Sequence, residues 1–194
     1  MYGIPVVVND GSADDTAATA AAAGAIVVNH RRARGYDAAL NSGFRRAAEL
    51  GVEYALTMDA DGQHDPTRIP QFLRLLADGY WLVSGVRPKP ARISESIFAA
   101  YTRLAYGIHD PLCGMKAYAM SAYAELGHFD SYGSMGTELA LHTARVGHPV
   151  VEVNIPISLR LGAPRLGGRL RGNARIFRAL ALAILRGFRP GAAG

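Results

Sequence analysis

Two carboxylates follow a short apolar run in the first third of the sequence. Asp59 and Asp61 come directly after Tyr54-Ala-Leu-Thr-Met, and a glycine and Gln63 follow them. An apolar run that breaks into carboxylates and a glycine is typical of a buried strand ending at an open sheet edge. In an extended chain, residues two apart point the same way, so both carboxylates can face one ligand. This arrangement suits Mg²⁺ or Mn²⁺, which take oxygen ligands and often share substrate phosphates.

This segment has two other interpretations. A calcium loop is excluded, because the glycine is fourth from Asp59 rather than sixth, and Pro70 stands where a glutamate belongs. A polar turn stays open, since Asp65 followed by Pro66 is typical of a helix start. Short Asp-x-Asp matches are common by chance. On this segment alone, metal or phosphate chemistry and a plain turn are therefore equally supported.

A second polar motif follows the first apolar run of the chain. Asn9, Asp10, Gly11 and Ser12 lie between a predicted strand and a predicted helix. This order places a carboxylate and free backbone amides at the carboxyl end of a strand, where open α/β sheets bind ligands. A generic turn with a helix cap gives the same pattern and stays open for this motif alone. Two acidic strand ends favour a ligand site more than one does.

Strand-like and helix-like segments alternate along the first half of the chain. This alternation predicts an α/β, Rossmann-like fold with a mainly parallel sheet and helices on both faces. We expect a single domain over residues 1–194, since no repeat or linker interrupts the sequence. The predicted strands are 4–9, 25–29, 52–58, 80–85 and 150–159, and the predicted helices are 14–23, 36–50, 66–77, 94–106, 135–146 and 173–188.

Composition and charge restrict the class of protein. The chain is 49% hydrophobic, which fits a globular domain with its own core. The single cysteine, Cys113, excludes an internal disulfide and favours a reducing cytoplasm. No apolar stretch reaches membrane-spanning length and no signal peptide is evident, so we expect a cytoplasmic protein. Of 21 basic residues only Lys89 and Lys116 are lysines, and arginine favours phosphate-bearing partners.

The C-terminal segment 169–189 has the periodicity of a basic amphipathic helix. Its arginines fall within one arc of a helical projection, and apolar residues fall opposite. Such a helix favours peripheral contact with the cytoplasmic face of an anionic membrane. Packing of its apolar side on the core is compatible with this, and nucleic acid is not expected as a partner. The arginines are Arg171, Arg175, Arg178, Arg186 and Arg189, and the apolar residues are Ile176, Phe177, Leu180, Ile184 and Phe188.

Taken in order, these segments resemble one known family. Residues 7–16, 35–43 and 58–64 are similar to the corresponding motifs of family 2 glycosyltransferases of the A-type nucleotide-sugar fold. Later segments resemble the polyprenyl-phosphate (dolichyl-phosphate-type) sugar transferases in particular. The later segments are 110–118, the helix opened by Glu138, 151–157, Arg160 and 166–168. The resemblance covers nearly the whole chain.

The resemblance implies a metal-dependent transfer of a hexose from a UDP- or GDP-sugar to an acceptor, a polyprenyl phosphate at the membrane surface. Asp59 and Asp61 then hold Mg²⁺ or Mn²⁺ on the diphosphate, with Gln63 as a nearby oxygen ligand. The metal offsets charge that builds on the leaving nucleoside diphosphate. The implied nucleotide-sugar-binding positions are Asp10, Gly11, Ser12, Gly35 and Asp59.

Other charged residues complete the implied site. Arg87, Lys116 and Arg160 are candidates to bind phosphates or the acceptor. A lipid phosphate is already ionised at neutral pH and needs little help from a base, whereas a hydroxyl acceptor requires one. Asp110 and Glu138 are the candidate bases, and a capping or salt-bridging role is the alternative for each. With Asp61, these are the predicted catalytic residues.

Neither the histidines nor the cysteine are predicted to be catalytic. His64 follows the acidic motif, but a loop histidine is more often exposed or hydrogen-bonded than a metal ligand. The other histidines show no ligand spacing, so we assign them to structure. No partner histidine is implied for Cys113, so we do not expect it to act as a nucleophile.

One part of the family pattern is absent from this sequence. Family members begin with a further strand and helix, upstream of the strand that starts here at Ile4. That strand is central in a doubly wound sheet, so its loss leaves a gap between the Ile4 strand and the Asp59 strand. Three explanations are open. The true start of the protein lies upstream of Met1, another segment takes the place of the missing strand, or the protein has lost activity. We expect the first. Asn9, where the family usually has Asp, is a smaller departure.

Three functional hypotheses follow from the sequence. The first is the glycosyltransferase. The second is an inactive nucleotide-binding module or partner subunit, and the third is a nucleotidyltransferase, which lacks the usual glycine- and arginine-rich opening. The sequence also leaves open whether the protein forms a homo-oligomer.

Overall fold

Among the described residues, the strands form two separate sheets. The computed structural model describes residues 3–88, 92–158 and 169–187. Its strands are β1 (Val6–Asn9), β2 (Ile26–Asn29), β3 (Tyr54–Thr57), β4 (Leu82–Val86), β5 (Lys116–Ala119) and β6 (Val150–Asn154). Its helices are α1 (Thr16–Ala22), α2 (Tyr36–Glu49), α3 (Ile69–Ala77, after a 3₁₀ turn at Pro66–Arg68), α4 (Ile93–Tyr106), α5 (Met120–Leu126), α6 (Glu138–Arg145) and α7 (Arg169–Gly187).

Strand β5 makes the larger sheet mixed. The strand order in that sheet is β3-β5-β4-β6, and β5 runs antiparallel to both β3 and β4. Strand β6 pairs in parallel with β4. The α/β fold is thus confirmed, but β5 and α5 were not predicted. The four residues of β5 read Lys-Ala-Tyr-Ala, which is too short and too small-sided to give a clear alternating signal.

Strands β1 and β3 belong to different sheets. Strand β1 pairs in parallel with β2, and within the described ranges it has no pairing with β3. Helix α2 contacts β1, β2 and β3, and so spans the two sheets. The predicted gap between the Ile4 strand and the Asp59 strand is therefore confirmed.

Burial differs between the two sheets. Strands β4 and β5 are buried almost throughout, whereas β1 and β3 are half-buried and α1 has no buried residue. Neighbouring residues of the central strands point to opposite faces, so Tyr118 and Leu82 belong to one core cluster while Ala117 and Val83 belong to the other. The larger sheet therefore carries core on both of its faces.

Several predicted boundaries are corrected by the backbone. Helix α6 begins at Glu138 rather than at Met135, because Met135 and Gly136 have φ angles of 61° and 76°, outside the right-handed helical region. Strand β6 ends at Asn154, five residues before the predicted end at 159. Among the described residues, no helix has the length and apolarity needed to cross a bilayer.

Helix α7 packs part of its apolar side on the core. Ile176 and Leu180 are buried, as expected for its apolar side. Phe177, which the projection places opposite the arginines, is 43% exposed, so the apolar side of α7 is only partly buried. Phe188 and Arg189 lie outside the described residues.

Candidate functional site

The carboxyl ends of β3 and β4 meet at the loop 110–115. On one side, Thr57 Oγ1 donates a hydrogen bond to the carbonyl of Gly114 at 2.8 Å. On the other side, the N–H of Gly85 donates to the carbonyl of Met115 at 2.9 Å. The loop is thus fixed between two strand ends, at the edge where open α/β sheets bind their ligands.

The carboxylate of Asp59 packs directly on Gly114. A Cβ added to Gly114 would lie 2.3 Å from Oδ2 and 2.9 Å from Oδ1 of Asp59. Such distances are far below van der Waals contact, so only glycine permits this carboxylate position. Gly114 was not among the predicted site residues. Its only signal in the sequence was a glycine inside the segment that resembles the family.

Backbone hydrogen bonds shape the acidic turn after β3. The N–H of Asp59 donates to His64 Nδ1 at 3.2 Å, and the N–H of Gln63 donates to Asp61 Oδ1 at 3.1 Å. The carbonyl of Gln63 in turn accepts from the N–H of Ser158 at 3.0 Å. Asp61 and Gln63 are thereby held beside Asp59.

His64 supports this turn as a neutral ring. It is only 7% exposed. Burial lowers the pKa of His64, although the carboxylates of Asp59 and Asp61 act in the opposite direction. Because Nδ1 accepts a hydrogen bond, the ring proton is assigned to Nε2. The interpretation of His64 as a hydrogen-bonded loop residue agrees with this geometry.

The oxygen donors at this turn fit a divalent cation that is shared with a phosphate ligand. Asp59 and Asp61 are half-buried at the strand end. In the part of the chain that the structure describes, no group of three or more His, Cys, Asp or Glu side chains is placed to hold a metal by itself. Mg²⁺ is commonly bound by one or two carboxylates, with water and substrate phosphates in the remaining positions. Two carboxylates therefore match a metal-diphosphate site.

Arg87 is held by two carboxylates beside this turn. Its Nε and Nη2 donate to Asp110 Oδ2 and Oδ1 at 2.7 and 2.8 Å, and Nη2 also donates to Glu95 Oε2 at 3.1 Å. Burial raises the pKa of Asp110, but the bonds and charge of Arg87 outweigh it and leave the pKa below its ordinary value. Both oxygens of Asp110 are thus engaged by a cation, which gives Asp110 a positioning role in this structure.

Lys116 places a second cation at the same strand end. Its side chain is buried, and Nζ donates a hydrogen bond to the carbonyl of Cys113. Burial lowers the pKa of Lys116, while the nearby Asp110 and Asp59 favour its charged form. Burial likewise raises the pKa of the Cys113 thiol. A protonated thiol is a poor nucleophile, in keeping with the interpretation of Cys113 as non-catalytic.

The carboxylate of Asp10 binds the turn that precedes α2. Its oxygens accept from the N–H groups of Arg34 and Gly35 at 2.8 and 2.7 Å, and Oδ1 lies 2.6 Å from His30 Nδ1. Nε2 of His30 lies 2.8 Å from Ser42 Oγ. Burial raises the pKa of Asp10, but these hydrogen bonds outweigh it and lower the pKa. The predicted nucleotide-recognition carboxylate therefore fixes the start of α2.

Gly11 and Ser12 form a separate turn, the one that follows β1. Gly11 has a φ of 72°, and a Cβ there would lie 2.6 Å from the backbone nitrogen of Ala33. The N–H of Ser12 donates to Asn9 Oδ1 at 3.1 Å, and Asn9 Nδ2 donates to Asn29 Oδ1 at 2.9 Å. Asn9, the departure from the family pattern, thus ties the turn to β2. A ligand role for these positions stays a prediction.

Glu138 lies in a polar cluster that joins α6 to α7. Its carboxylate accepts from the N–H and Oγ of Ser131, lies 3.2 Å from His128 Nε2, and pairs with Arg186 Nη1 at 3.3 Å. The guanidinium of Arg186 also lies 4.4 Å from the centre of the Tyr132 ring. Both oxygens of this predicted base are therefore engaged, as those of Asp110 are.

A cleft of about 330 Å³ lies between the start of α2 and the loop that contains Asp130. The N–H of Gly136 donates to Asp37 Oδ1 at 2.8 Å. Burial and the neighbouring Asp130 raise the pKa of Asp37 to about 6. The lining residues are Arg34, Gly35, Tyr36, Asp37, Ala38, Asn41, Asp130, Ser131, Gly133 and Arg175.

A second cleft, of about 590 Å³, lies at the start of β3 and the end of β5, away from the loop 110–115. It contains none of the predicted site residues.

The structure brings the predicted residues into three groups. The first surrounds the loop 110–115, the second holds the turn before α2, and the third is the cluster of Glu138. Arg160 lies outside the described residues. The first group contains Asp59, Asp61, Gln63, Arg87, Asp110 and Lys116, and the second contains Asp10, Gly11, Ser12 and Gly35.

Comparison with known proteins gives relatives along most of the chain. A dolichyl-phosphate hexose transferase of Haloferax volcanii is 31% identical over 173 residues, which are 83% of this chain and 73% of the relative. An undecaprenyl-phosphate mannosyltransferase of Micrococcus luteus is 27% identical over 190 residues, covering 87% of this chain and 78% of the relative. A polyprenol monophosphomannose synthase of Mycolicibacterium smegmatis is 32% identical over 185 residues, covering 84% and 70%.

Solved structures share the fold. Glucosyl-3-phosphoglycerate synthase from Mycobacterium tuberculosis, in complex with Mn²⁺ and UDP-glucose, superposes with a TM-score of 0.72 at 22% identity. The match covers 96% of this chain and 69% of that protein. The family model for glycosyl transferase family 2 matches residues 6–134. The predicted family is therefore confirmed, and the chain belongs to glycosyl transferase family 2.

Proposed function

We propose that this chain transfers a hexose from a UDP- or GDP-linked sugar to a polyprenyl phosphate. The observation that carries the proposal is the packing of the Asp59 carboxylate on Gly114, which places the acidic turn against the loop held by Arg87 and Lys116. Carboxylates and cations thus border one strand end. Three relatives are named for transfer to dolichyl, undecaprenyl or polyprenol phosphate, and their names support a lipid-phosphate acceptor.

The donor is proposed to bind at the acidic turn. Asp59 and Asp61, with Gln63 beside them, would hold Mg²⁺ or Mn²⁺ on the diphosphate. When bound, the metal offsets the negative charge of the leaving nucleoside diphosphate. Structures with this fold that contain Mn²⁺ with UDP-glucose, or Mg²⁺ with UDP, support this assignment. The buried Lys116 adds positive potential for an anionic ligand.

The state of the candidate bases favours a phosphate acceptor. In the proposed reaction, an acceptor phosphate oxygen forms a bond to the anomeric carbon while the bond from that carbon to the diphosphate breaks. An ionised phosphate has no proton to lose, so the reaction needs no base. Asp110 and Glu138 each have both oxygens engaged by donors. A hydroxyl acceptor would require one of them to release its partners first.

Thermal unfolding with ligands tests the donor site. We expect UDP or GDP, and their sugars, to raise the Tm of the wild type more with Mn²⁺ than without it, because a ligand that binds only the folded state stabilises it. Asp59→Asn and Asp61→Asn should lose the Mn²⁺-dependent part of the rise. Asp65→Asn is the matched control, since Asp65 caps the 3₁₀ turn that follows by accepting from the N–H of Thr67 at 2.9 Å. An equal response of all four proteins contradicts the metal assignment.

A second candidate function is a nucleotide-binding module that does not transfer sugar on its own. The break between β1 and β3 and the internal use of the Asp10 carboxylate favour it. It predicts Mn²⁺-dependent stabilisation by nucleotide without transfer. An assay of labelled sugar from the nucleotide sugar into organic-extractable polyprenyl phosphate separates the two candidates.

A further inference from the structure

Three polar side chains from separate elements form a hydrogen-bonded row. Asp10 follows β1, His30 follows β2, and Ser42 lies within α2. His30 Nδ1 lies 2.6 Å from Asp10 Oδ1, and His30 Nε2 lies 2.8 Å from Ser42 Oγ. The row is enclosed by the protein, because the side chain of His30 is 5% exposed and Ser42 is 3% exposed. It therefore connects the smaller sheet to α2 through buried polar contacts.

The carboxylate at one end fixes the direction of these hydrogen bonds. Burial raises the pKa of Asp10, but its hydrogen bonds outweigh this effect and lower the pKa below its ordinary value. An ionised carboxylate can only accept, so Nδ1 of His30 carries a proton and donates to Asp10. In the neutral ring, Nε2 then accepts from the hydroxyl of Ser42. Both ring nitrogens of His30 therefore have a partner.

The row has the groups of a serine hydrolase triad, but it lacks an accessible nucleophile. In such enzymes the serine oxygen attacks a substrate carbonyl. Ser42 is buried in the middle of α2, where the helix packs on β1. A Cβ added to the neighbouring Gly43 would lie 3.5 Å from the side chain of Val8. Ser42 therefore serves as a support for His30 and does not attack a substrate.

The other end of the row reaches solvent at Asp10. Its Oδ1 accepts from His30 and from the N–H of Arg34, and its Oδ2 accepts from the N–H of Gly35. A carboxylate has about four acceptor positions. Among the described residues, Oδ2 thus keeps one position open, on a side chain that is 26% exposed. Uracil and guanine each carry a ring N–H that this oxygen can accept.

Apolar packing gives Asp10 little support. Strands β1 and β2 have no fully buried residue, and α1 has none either. The backbone of His30 adds to the hold of its side chain, since its N–H donates to the carbonyl of Asn9 at 2.9 Å. His30 therefore supports the end of β1 through both its backbone and its ring.

We propose that His30, oriented by Ser42, is a positioning residue that keeps the open acceptor position of Asp10 Oδ2 directed towards the base of the nucleotide-sugar donor. The proposal rests on the proposed function, because it takes Asp10 as the residue that meets the nucleotide. The sequence assigned His30 to structure alone, since a histidine that acts through a distant carboxylate shows no ligand spacing. The role predicts an effect on nucleotide affinity and none on the transfer step.

Two substitutions of His30 separate positioning from packing. In His30→Asn the amide nitrogen takes the place of Nδ1 and can still donate to Asp10, whereas in His30→Gln it takes the place of Nε2 and cannot. Calorimetric titration with Mn²⁺ and either UDP or GDP measures the affinity. We expect His30→Gln to weaken binding about tenfold, as for one lost hydrogen bond to a charged group, and His30→Asn to stay within about threefold of the wild type. Packing alone predicts the opposite order, since glutamine is closer to histidine in volume.

A second variant covers the case in which His30→Gln does not fold. Ser42→Ala removes the support of Nε2 and should weaken nucleotide binding about threefold. His148→Gln is the matched control, because His148 also pairs with a carboxylate at 2.7 Å, that of Glu125. His148 stacks on Trp81, which lines the second cleft. In the transfer assay, His30→Gln should raise KM for the nucleotide sugar and leave kcat within about twofold of the wild type.

Equal losses in His30→Asn and His30→Gln, or wild-type affinity in both His30→Gln and Ser42→Ala, overturn the positioning role and leave the proposed function intact. A wild type that binds neither nucleotide contradicts the proposed function, and the positioning role falls with it. Ring-nitrogen NMR of the free protein is a check that needs no nucleotide. We expect a proton on Nδ1 of His30, and an Nδ1 without a proton overturns the positioning role.

Discussion

At the scale of single residues, the candidate site depends on contacts between distant parts of the chain. Asp59 and Gly114 are far apart in sequence, yet the carboxylate position requires the absence of a side chain at 114. The acidic motif was evident from local pattern alone. Its partner was not, because a glycine that receives a distant carboxylate has no periodicity or charge to mark it.

Replacing this glycine tests the contact. Gly114→Ala should displace the Asp59 carboxylate and abolish the Mn²⁺-dependent rise in Tm with nucleotide, and overpacking should reduce the free energy of unfolding by about 1–3 kcal/mol. Gly43→Ala, within α2, is the matched control. A Cβ added there would lie 3.5 Å from the Val8 side chain, which is an ordinary van der Waals distance. Calorimetric titration with nucleotide and Mn²⁺ measures the binding. Wild-type affinity in Gly114→Ala would show that the carboxylate does not act from this position.

At the scale of elements, Arg186 joins α7 to the Glu138 carboxylate and to Ser131 and Tyr132 of the loop before α6. Glu138 opens α6 and joins Ser131, His128 and Arg186 of α7. Helix α6 itself starts where Met135 and Gly136 leave the helical region. Sequence patterning identified Glu138 as a residue that opens a helix, but not its partners, since they come from two separate segments, the loop before α6 and helix α7.

The variant Glu138→Gln tests whether this residue is structural. Removing one partner of a buried, charged hydrogen-bond network should lower the free energy of unfolding by about 2–4 kcal/mol. Glu125→Gln is the control, because Glu125 pairs with His148 at 2.7 Å with its side chain 41% exposed, and such pairs contribute about 1 kcal/mol or less. Urea denaturation measures both. If Glu138→Gln unfolds like the wild type while kcat for transfer collapses, the catalytic role predicted for Glu138 is supported instead.

At the scale of the whole molecule, the two sheets differ in how well they are supported. The larger sheet has core on both faces, whereas β1, β2 and α1 have no fully buried residue. Half-buried strands with few buried apolar contacts open more readily than core strands. The part of the molecule that holds Asp10 is therefore the less stable one.

Hydrogen exchange tests this difference. Amides of β1 and β2 should exchange at least about tenfold faster than those of β5, which is paired on both edges. Strand β6 is the internal control, because among the described strands it also pairs on one side only but belongs to the larger sheet. Mass spectrometry of peptic fragments gives the comparison. Equal rates in β1 and β6 would show that edge position, and not the division of the sheets, sets the exchange.

The sequence by itself determined the order of most helices and strands, the acidic turn at Asp59 and Asp61, and the family. All of these are encoded by short runs of residues, through periodicity, turn chemistry and ordered motifs. Only the tertiary structure decided the position of β5 between β3 and β4, the pairing of Arg87 with Asp110, and the partial exposure of Phe177. Each of these depends on which distant segments meet, and that follows from packing of the whole chain rather than from any local pattern.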